Sequence, residues 1–306
     1  MILDITVPAN RGRITGLFQM CYLLGLALAA SCGGFLVDMV GFRRALLLCT
    51  GATALGLLVA LFGLPETAPH ARSRTVAWNR LPPASWSMAI GRTASVGLRG
   101  LDRRFLTVAA MYMIANFASN GVLMSTSSLL LKSRFGAGVA LGDAMVGVAT
   151  LSGLLLGLRS LMAMLSGPVA GHLSDSRHGR WRVIGSGFGA GCAGFLLLAL
   201  DERLWLITLG IVLMGVAAGT LFSTVAAQAG DLTQVKSQGM MMGLYATGGD
   251  LGSAAGPLVA YSLATAIDLR WVYLFCAGLF LAALGVTWQT SQWTGAPDPD
   301  AQISTT

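Results

Sequence analysis

Charge is the scarcest property of this sequence. Only 11% of its 306 residues are Asp, Glu, Lys or Arg, whereas soluble domains carry about 25%. Hydrophobic residues make up 55%, and the mean hydropathy is +0.70, which excludes a soluble globular domain. Alternation of apolar and polar residues at period two is also lacking, so a transmembrane β-barrel is disfavoured and helices are expected. The sequence therefore predicts an all-α integral membrane protein.

Residue combinations that support catalysis or metal binding are lacking as well. The five cysteines lie in apolar stretches without CxxC spacing, so we interpret them as small buried hydrophobes. The three histidines form no cluster with cysteines or carboxylates. The sequence contains no nucleophile with a base, no phosphate-binding loop and no catalytic carboxylate pair. We therefore expect no metal, no cofactor and no enzymatic activity.

The excess of basic residues indicates topology rather than nucleic-acid binding. Lys and Arg number 20 against 13 Asp and Glu, and they lie in short loops between apolar runs. Most of them fall on one side of the predicted membrane, and basic loops remain in the cytoplasm. We expect a multi-pass cell-membrane protein with both termini in the cytoplasm and no nucleic-acid partner. The preference for Arg over Lys suggests a bacterial inner membrane.

Apolar runs predict about eight transmembrane helices, because about 20 residues are needed to cross a bilayer. The runs lie at 14–36, 45–64, 105–131, 145–172, 183–200, 204–225, 239–266 and 271–289. Two spans fall in a first segment, 1–66, and six form a C-terminal bundle, 105–290. Between them, the basic and Pro-containing segment 67–104 is expected to be a cytoplasmic linker that lies partly on the membrane surface. Residues 291–306 are expected to form a cytoplasmic tail.

The chain also contains an internal repeat. When Asp4 is aligned with Asp231 without gaps, a framework of Thr, Gly, Arg and Cys residues coincides up to Cys276. Each copy has a polar turn, a long glycine-containing apolar helix, a short loop with Arg and another apolar run. A period of this length is typical of duplicated half-domains.

A basic loop between two spans resembles a family signature. Residues 171–182 have the sequence GHLSDSRHGRWR, which resembles the cytoplasmic loop motif of the major facilitator superfamily, with one extra residue between Asp175 and Gly179. The resemblance implies that this loop takes part in gating. The residues that carry the motif are Gly171, Asp175, Arg177, Gly179, Arg180 and Arg182.

Small residues along two helices extend the resemblance. The first long helix is similar to the glycine motif that proton-coupled drug antiporters of this family carry in their fifth span. Ala29 and Ala30 replace its central Gly-Pro, which the second copy of the repeat retains. Rows of small residues also predict close helix packing. The positions expected at such contacts are Gly16, Gly25, Gly33, Gly34, Gly243, Gly252, Gly256 and Pro257.

The resemblance implies a fold of twelve spans in two halves, of which this chain matches spans five to twelve. Four predicted spans precede Asp231 within its half, whereas only three residues precede Asp4. We therefore expect spans one to four to be lacking, either because the gene model starts late or because the product is truncated.

For function, the resemblance implies secondary active transport of a small organic solute by alternating access. Proton-coupled, drug-type efflux is the first hypothesis. Uptake symport of a sugar or an organic anion, and a truncated membrane protein without transport activity, are the alternatives. The expected partners are a small-molecule substrate, protons and the lipid bilayer. The sequence gives no indication of the oligomeric state.

Two charged residues near the middle of predicted spans are the main site candidates. Charges at this depth are costly and usually face a cavity or a partner. Arg159 shares a helical face with small and polar residues, so it is expected to bind an anionic substrate group or to balance a coupling carboxylate. Burial favours the protonated form of a carboxyl group, so Asp250 is a coupling candidate that either pairs with Arg159 or titrates during transport. Structural roles in helix packing are the alternatives for both.

Polar residues on two further helices complete the candidate site. Asn116 and Asn120 are one helical turn apart, and Tyr112 precedes them on the same stripe. In the family this span lines the substrate cavity, so the resemblance implies substrate contact, although polar contacts between helices fit equally well. On the first helix, Gln19 and Tyr22 are additional candidates.

Overall fold

The structure is a computed structural model, and the residues that it describes are almost entirely helical. It describes residues 11–63, 103–136, 138–141, 144–175, 179–200, 203–233, 238–266 and 268–293, with the side chains of the first helix described from Met20 onward. The helices are α1 (Arg11–Val40), α2 (Phe42–Gly63), α3 (Arg103–Asn116), α4 (Met124–Phe135), α5 (Val148–Asp175), α6 (Arg180–Leu200), α7 (Leu204–Asp231), α8 (Gln238–Ala266) and α9 (Leu269–Trp293). The predicted all-α membrane fold is confirmed. Most of the expected linker and tail lies outside the described residues.

Seven stretches of the described chain are long and apolar enough to cross a membrane. One of them is the continuous span Arg103–Phe135, which contains α3 and α4. The helix α8 is also long enough, with 29 residues, but its many glycines and polar residues keep it outside this group. All eight expected helices are therefore present, and the one that is least apolar carries Asp250.

The span 103–135 is interrupted by a π-helical segment, Phe117–Leu123. Such segments are rare and often occur at functional sites, because they widen the helix and redirect side chains. Here the segment places Gly121 against Gly256 of α8, where a Cβ at Gly121 would lie 2.7 Å from the Gly256 Cα. The backbones of the two helices are consequently in direct contact.

A short hairpin joins α4 to α5. Its strands, β1 (Gly138–Leu141) and β2 (Ala144–Gly147), pair in antiparallel register with Val139 opposite Val146. The expectation that a helix begins at residue 145 is wrong for residues 145–147. The β-branched Val139 and Val146, which lie opposite each other, favour extended strands over a helix start.

Helix α5 is central to the packing. It packs against α1 on one side and α7 on the other, while α6 packs against α7 and α9. Aromatic rings fill the contact between α6 and α9, where Phe195 packs against Tyr273 and Phe280. The helix α8 packs chiefly against α3 and the π-helical segment. This arrangement leaves a space between α1 and the C-terminal bundle.

Apolar side chains of α2 remain largely exposed, because this helix packs chiefly against α1. The expectation that all cysteines are buried is wrong. Cys276 is buried in the core, but Cys21, Cys32 and Cys49 of α1 and α2 are exposed.

Candidate functional site

A cavity of about 630 Å³ lies between α1 and the bundle of α3, α5 and α7. Its wall is mostly apolar, with Leu23 and Leu26 from α1, Leu221 and Phe222 from α7, and Phe280 from α9. Pockets for drug-sized ligands have volumes of about 300–1,000 Å³ and mostly apolar walls with a few polar groups. This cavity therefore has the size and character of a small-molecule site.

Arg159, from the middle of α5, brings a positive charge to this cavity. Its side chain is only 4% exposed, and its Nη2 donates hydrogen bonds to Ser119 Oγ at 2.8 Å and Asn120 Oδ1 at 3.1 Å. Its Nε is buried and has no acceptor. Among the described residues, no carboxylate pairs with this guanidinium. A buried charge without a counter-charge is costly, and this one lines the cavity.

The asparagines of the predicted polar stripe form a chain of hydrogen bonds that leads to Arg159. Asn120 Nδ2 donates to Asn116 Oδ1 at 2.9 Å, and Asn116 Nδ2 donates to the carbonyl oxygen of Tyr112 at 3.0 Å. Because Asn120 Nδ2 is engaged in this way, its Oδ1 is directed to Arg159. The structure thus brings Tyr112, Asn116, Asn120 and Arg159 together on the wall of the cavity. Ser119, which the sequence analysis missed, is the additional acceptor.

Helix α7 supports Arg159 from behind. A Cβ at Gly215 would press on the backbone of Arg159, and one at Gly219 would collide with the carbonyl of Ala163. Small residues at these positions allow α7 to approach α5 closely. The backbone of α5 at Arg159 is therefore in direct contact with α7.

Tyr112 connects the cavity wall to α8. Its ring stacks on that of Tyr245, with ring centroids 4.1 Å apart, and Gly249 leaves room for it, since a Cβ there would collide with the Tyr112 ring. The hydroxyl group of Tyr245 is buried without a partner. A tyrosine on the glycine-rich face of α8 could have been singled out from the sequence as a buried polar group.

Asp250 does not join this group. It is exposed on α8, and the hypothesised ion pair with Arg159 is not formed. The physical reason is the face that α8 presents to its neighbours, because Gly249, Gly252 and Gly256 form its contact with α3 and the π-helical segment. Asp250 lies beside that contact face, and α8 packs chiefly against α3 and the π-helical segment rather than α5.

Of the two candidates on α1, Tyr22 lines the cavity, while the side chain of Gln19 lies outside the described part of the chain. Met20, which the sequence analysis did not single out, also lines the cavity. Tyr22 is more than half exposed, so it lies at the edge of the cavity rather than in its interior.

The helices α1 and α5 close together at the hairpin end of the cavity. They run antiparallel, and a Cβ at Gly153 would collide with the carbonyl of Ala30, while one at Gly34 would collide with that of Ala149. Beyond this contact, Asp38 Oδ2 accepts a hydrogen bond from the backbone N–H of Thr150 at 2.6 Å. A carboxylate at this position caps the N-terminus of α5. Asp38 was not a sequence candidate.

The major facilitator superfamily model matches residues 1–153 and again residues 148–305. The chain belongs to the major facilitator superfamily. Within curated proteins, it is similar to transporters: it is 27% identical over 149 residues to a triacylglyceride transporter of Mycolicibacterium smegmatis, covering 49% of this chain and 25% of that protein. It is also 32% identical over 132 residues to the class C tetracycline resistance protein of Escherichia coli, covering 43% of this chain and 33% of that protein.

A third relative is a putative glycerol-3-phosphate transporter of Arabidopsis thaliana, 30% identical over 121 residues, covering 38% of this chain and 22% of that protein. The matches thus span about a third or less of the length of these relatives.

Solved structures show the same fold. A POT family transporter in complex with a thioalcohol-conjugated peptide matches with a TM-score of 0.66 at 14% identity, covering 95% of this chain and 71% of that one. A mutant peptide transporter POT in complex with alafosfalin matches with a TM-score of 0.53 at 18% identity, covering 61% of this chain and 38% of that one. At such identities the likeness concerns the fold alone.

The superfamily loop motif joins α5 to α6 and contacts the end of α7. Gly179 has a φ of +76°, a left-handed conformation that favours glycine, and it precedes Arg180, which forms an ion pair with Asp231 at the end of α7. Arg182 is exposed, and the side chains of Asp175 and Arg177 lie outside the described part of the chain. Gly171 lines the cavity, and no other described helix approaches it closely.

The superfamily glycine motif contributes to helix contacts at only some of its positions. Gly34, Gly252 and Gly256 lie at close backbone contacts, with the half-buried Pro257 following on α8. The expectation of close packing is wrong for the remaining described positions, because the described residues leave open space around them. These positions are Gly25, Gly33 and Gly243. The surroundings of Gly16 lie outside the description.

Proposed function

We propose that this chain provides the binding cavity of a secondary active transporter, which moves a small, largely apolar organic solute by alternating access. The observation that carries the proposal is the cavity of about 630 Å³ between α1 and the C-terminal bundle. Transporters of this kind bind their solutes near the membrane midplane, between two bundles that rock around the site. The contact of α1 with α5 closes one end of this cavity.

Drug-type efflux is the direction that we propose. Its support is the similarity to a tetracycline resistance protein and the mostly apolar wall of the cavity. We place the chain in a cell membrane with both termini in the cytoplasm, following its basic loops. The hairpin then lies outside, so the described conformation is closed to the outside.

Proton coupling remains part of this proposal, with Asp250, an exposed carboxylate on α8, as the candidate residue and without an ion pair to Arg159. Uptake of an organic anion is the second candidate function, and the observation that favours it is the unpaired Nε of Arg159.

The test measures whether the closed end of the cavity opens. Met39 and Met145 are exposed side chains on either side of it, so spin labels at Met39→Cys and Met145→Cys report the separation of α1 from the hairpin. The labelled chain, with its five native cysteines replaced, is placed in lipid nanodiscs at pH 5.5 and pH 8, with and without N-phenyl-1-naphthylamine.

Alternating access predicts two distance populations whose ratio changes with pH or with this apolar ligand. A single distance that stays constant under all four conditions would contradict the proposal. That result would favour the alternative of a membrane protein without transport activity.

A further inference from the structure

We infer that the solute carries one anionic group, which Arg159 binds, on an otherwise apolar body. The inference rests on the proposed function and names the chemical class of the solute. A guanidinium has five N–H donors and no acceptor. In Arg159 the two described acceptors, Ser119 and Asn120, are neutral and both bind Nη2. The buried Nε has donor capacity that no group in the described part of the chain uses.

None of the described carboxylates forms an ion pair with Arg159. Asp38 caps α5, Asp231 pairs with Arg180, and Asp268 accepts from the backbone N–H of Arg270. Asp250 lies on the exposed side of α8. Within the part of the chain that the structure describes, the counter-charge for Arg159 must therefore come from a ligand. An anionic oxygen can bind a guanidinium through charge-assisted hydrogen bonds.

The rest of the cavity determines the body of the ligand. Apart from Arg159, its described lining has no charged residue, and most of its surface is apolar. A sugar would bring many hydroxyl groups to a wall that offers few partners, and each unpaired group would weaken binding. An anion with an aromatic or aliphatic body satisfies both the cation and the apolar wall.

Two probes with the same body separate these contributions. 1-Anilinonaphthalene-8-sulfonate and N-phenyl-1-naphthylamine share their ring system, and only the first carries a sulfonate. Fluorescence titration measures the binding of each to the full chain in nanodiscs, with empty nanodiscs subtracted. The proteins compared are the wild type, Arg159→Gln, Arg159→Lys and, as a control for net charge, Arg43→Gln at the exposed start of α2.

The wild type and Arg43→Gln should bind the sulfonate about tenfold or more tightly than the neutral probe, as expected for a charge-assisted hydrogen bond. Arg159→Gln should remove this preference and keep the neutral probe, which also shows that the variant is folded. Arg159→Lys should retain most of the preference. Sodium sulfate, at matched ionic strength, should not displace the sulfonate probe.

Equal binding of both probes by the wild type would overturn the inference and leave the proposed function standing. A sulfonate preference that persists in Arg159→Gln would overturn it as well. If sulfate displaces the probe, the site binds a bare inorganic anion, and the organic class is wrong. If neither probe binds, the cavity is not a ligand site and both proposals fail.

Discussion

Asn120 has two roles at the edge of the cavity, because its oxygen accepts from Arg159 while its nitrogen donates to Asn116. The Asn120 side chain thus orients the Arg159 guanidinium and links it by hydrogen bonds to Asn116 of α3. Its acceptors, Ser119 and Asn120, are neutral, so they hold the guanidinium in place without neutralising its charge. Replacing one of these acceptors by a carboxylate should then change binding and stability in opposite directions.

The variant Asn120→Asp tests this expectation. Its carboxylate would supply the missing counter-charge, so we expect a higher melting temperature and a loss of about tenfold or more in affinity for the sulfonate probe. Asn120→Ala, by contrast, should lower the melting temperature, because the Arg159 Nη2 loses an acceptor. Unchanged sulfonate affinity in Asn120→Asp would contradict the expectation. Thermal unfolding in detergent and the fluorescence titration are the two measurements.

A second residue-scale prediction concerns the core. The hydroxyl groups of Thr126 and Tyr273 are hydrogen bonded at 2.8 Å, and both residues are fully buried. Tyr273→Phe leaves Thr126 without this partner and should lower the free energy of unfolding by about 1–2 kcal/mol. Tyr261→Phe is the matched control, since Tyr261 donates to the carbonyl of Ser125 from an exposed position. Equal effects of the two substitutions in a detergent unfolding titration would disagree with this account.

At the scale of elements, the contact of α1 with α5 determines which end of the cavity is closed. Its closeness depends on Gly34 and Gly153, each of which meets a backbone carbonyl of the other helix. The neighbouring Gly33 has open space around it. Gly33 and Gly34 have the same helix propensity, so they differ only in their contacts with other helices.

Gly34→Val should therefore separate α1 from α5, whereas Gly33→Val should not. We expect Gly34→Val to increase the distance between spin labels at positions 39 and 145 and to reduce stability by roughly 1–3 kcal/mol. Gly33→Val should leave the distance unchanged and cause no loss of stability, because valine has a higher helix propensity than glycine and the space around Gly33 is open. If both variants give the wild-type distance, the close contact in this conformation is not what holds the helices together.

The positions of the helices could be predicted from the sequence, whereas which face of each helix is buried could not. Apolar run length predicted every described helix, because crossing a bilayer imposes a length. The hairpin was not predicted, because a four-residue strand such as Ala144–Gly147 has no sequence pattern that distinguishes it from the adjoining apolar run. The position of Asp250 was also misjudged. Which face of α8 is buried depends on the close approach of Gly256 to Gly121, a tertiary fact that helical periodicity does not contain.

For the candidate site, the burial of Arg159 followed from the general cost of charge in a membrane, whereas its hydrogen bond to Asn120 was not predicted. Ser119 could not be assigned, because its orientation depends on the π-helical segment. Asp38 could not be assigned either, since its partner is a backbone N–H 112 residues away in sequence. Side chains that act on backbone groups leave no complementary residue for sequence analysis to find.

On the scale of the whole molecule, two acidic residues mark opposite ends of the bundle. Asp38 joins α1 to the start of α5 beside the hairpin, and Asp231 pairs with Arg180 at the other end. An alternating-access cycle opens the hairpin end and must release the first contact. The charge of Asp38 should therefore contribute to the balance between the two conformations.

Asp38→Asn keeps an acceptor oxygen and removes the charge that favours the N-terminus of α5. Because such an interaction contributes about 0.3–1 kcal/mol, we expect a roughly two- to fivefold increase in the population with the longer distance between labels at positions 39 and 145. Asp268→Asn, at the start of α9, is the control and should leave the distances unchanged. No shift in Asp38→Asn would mean that the cap is incidental to the conformational balance.

The π-helical segment Phe117–Leu123 has a consequence for how this span tolerates insertions and deletions. The wide turn rotates the side chains that follow it about the helix axis. The side chains of α4 therefore point in other directions than a continuous α-helix from α3 would give them. Tyr112 and Asn116 thereby face the cavity while Thr126, on the same span, reaches Tyr273 in the core. Removing one residue from the segment would turn α4 by about 100° and exchange core side chains for lipid-facing ones. We therefore expect this span to tolerate insertions and deletions less well than its apolar composition suggests.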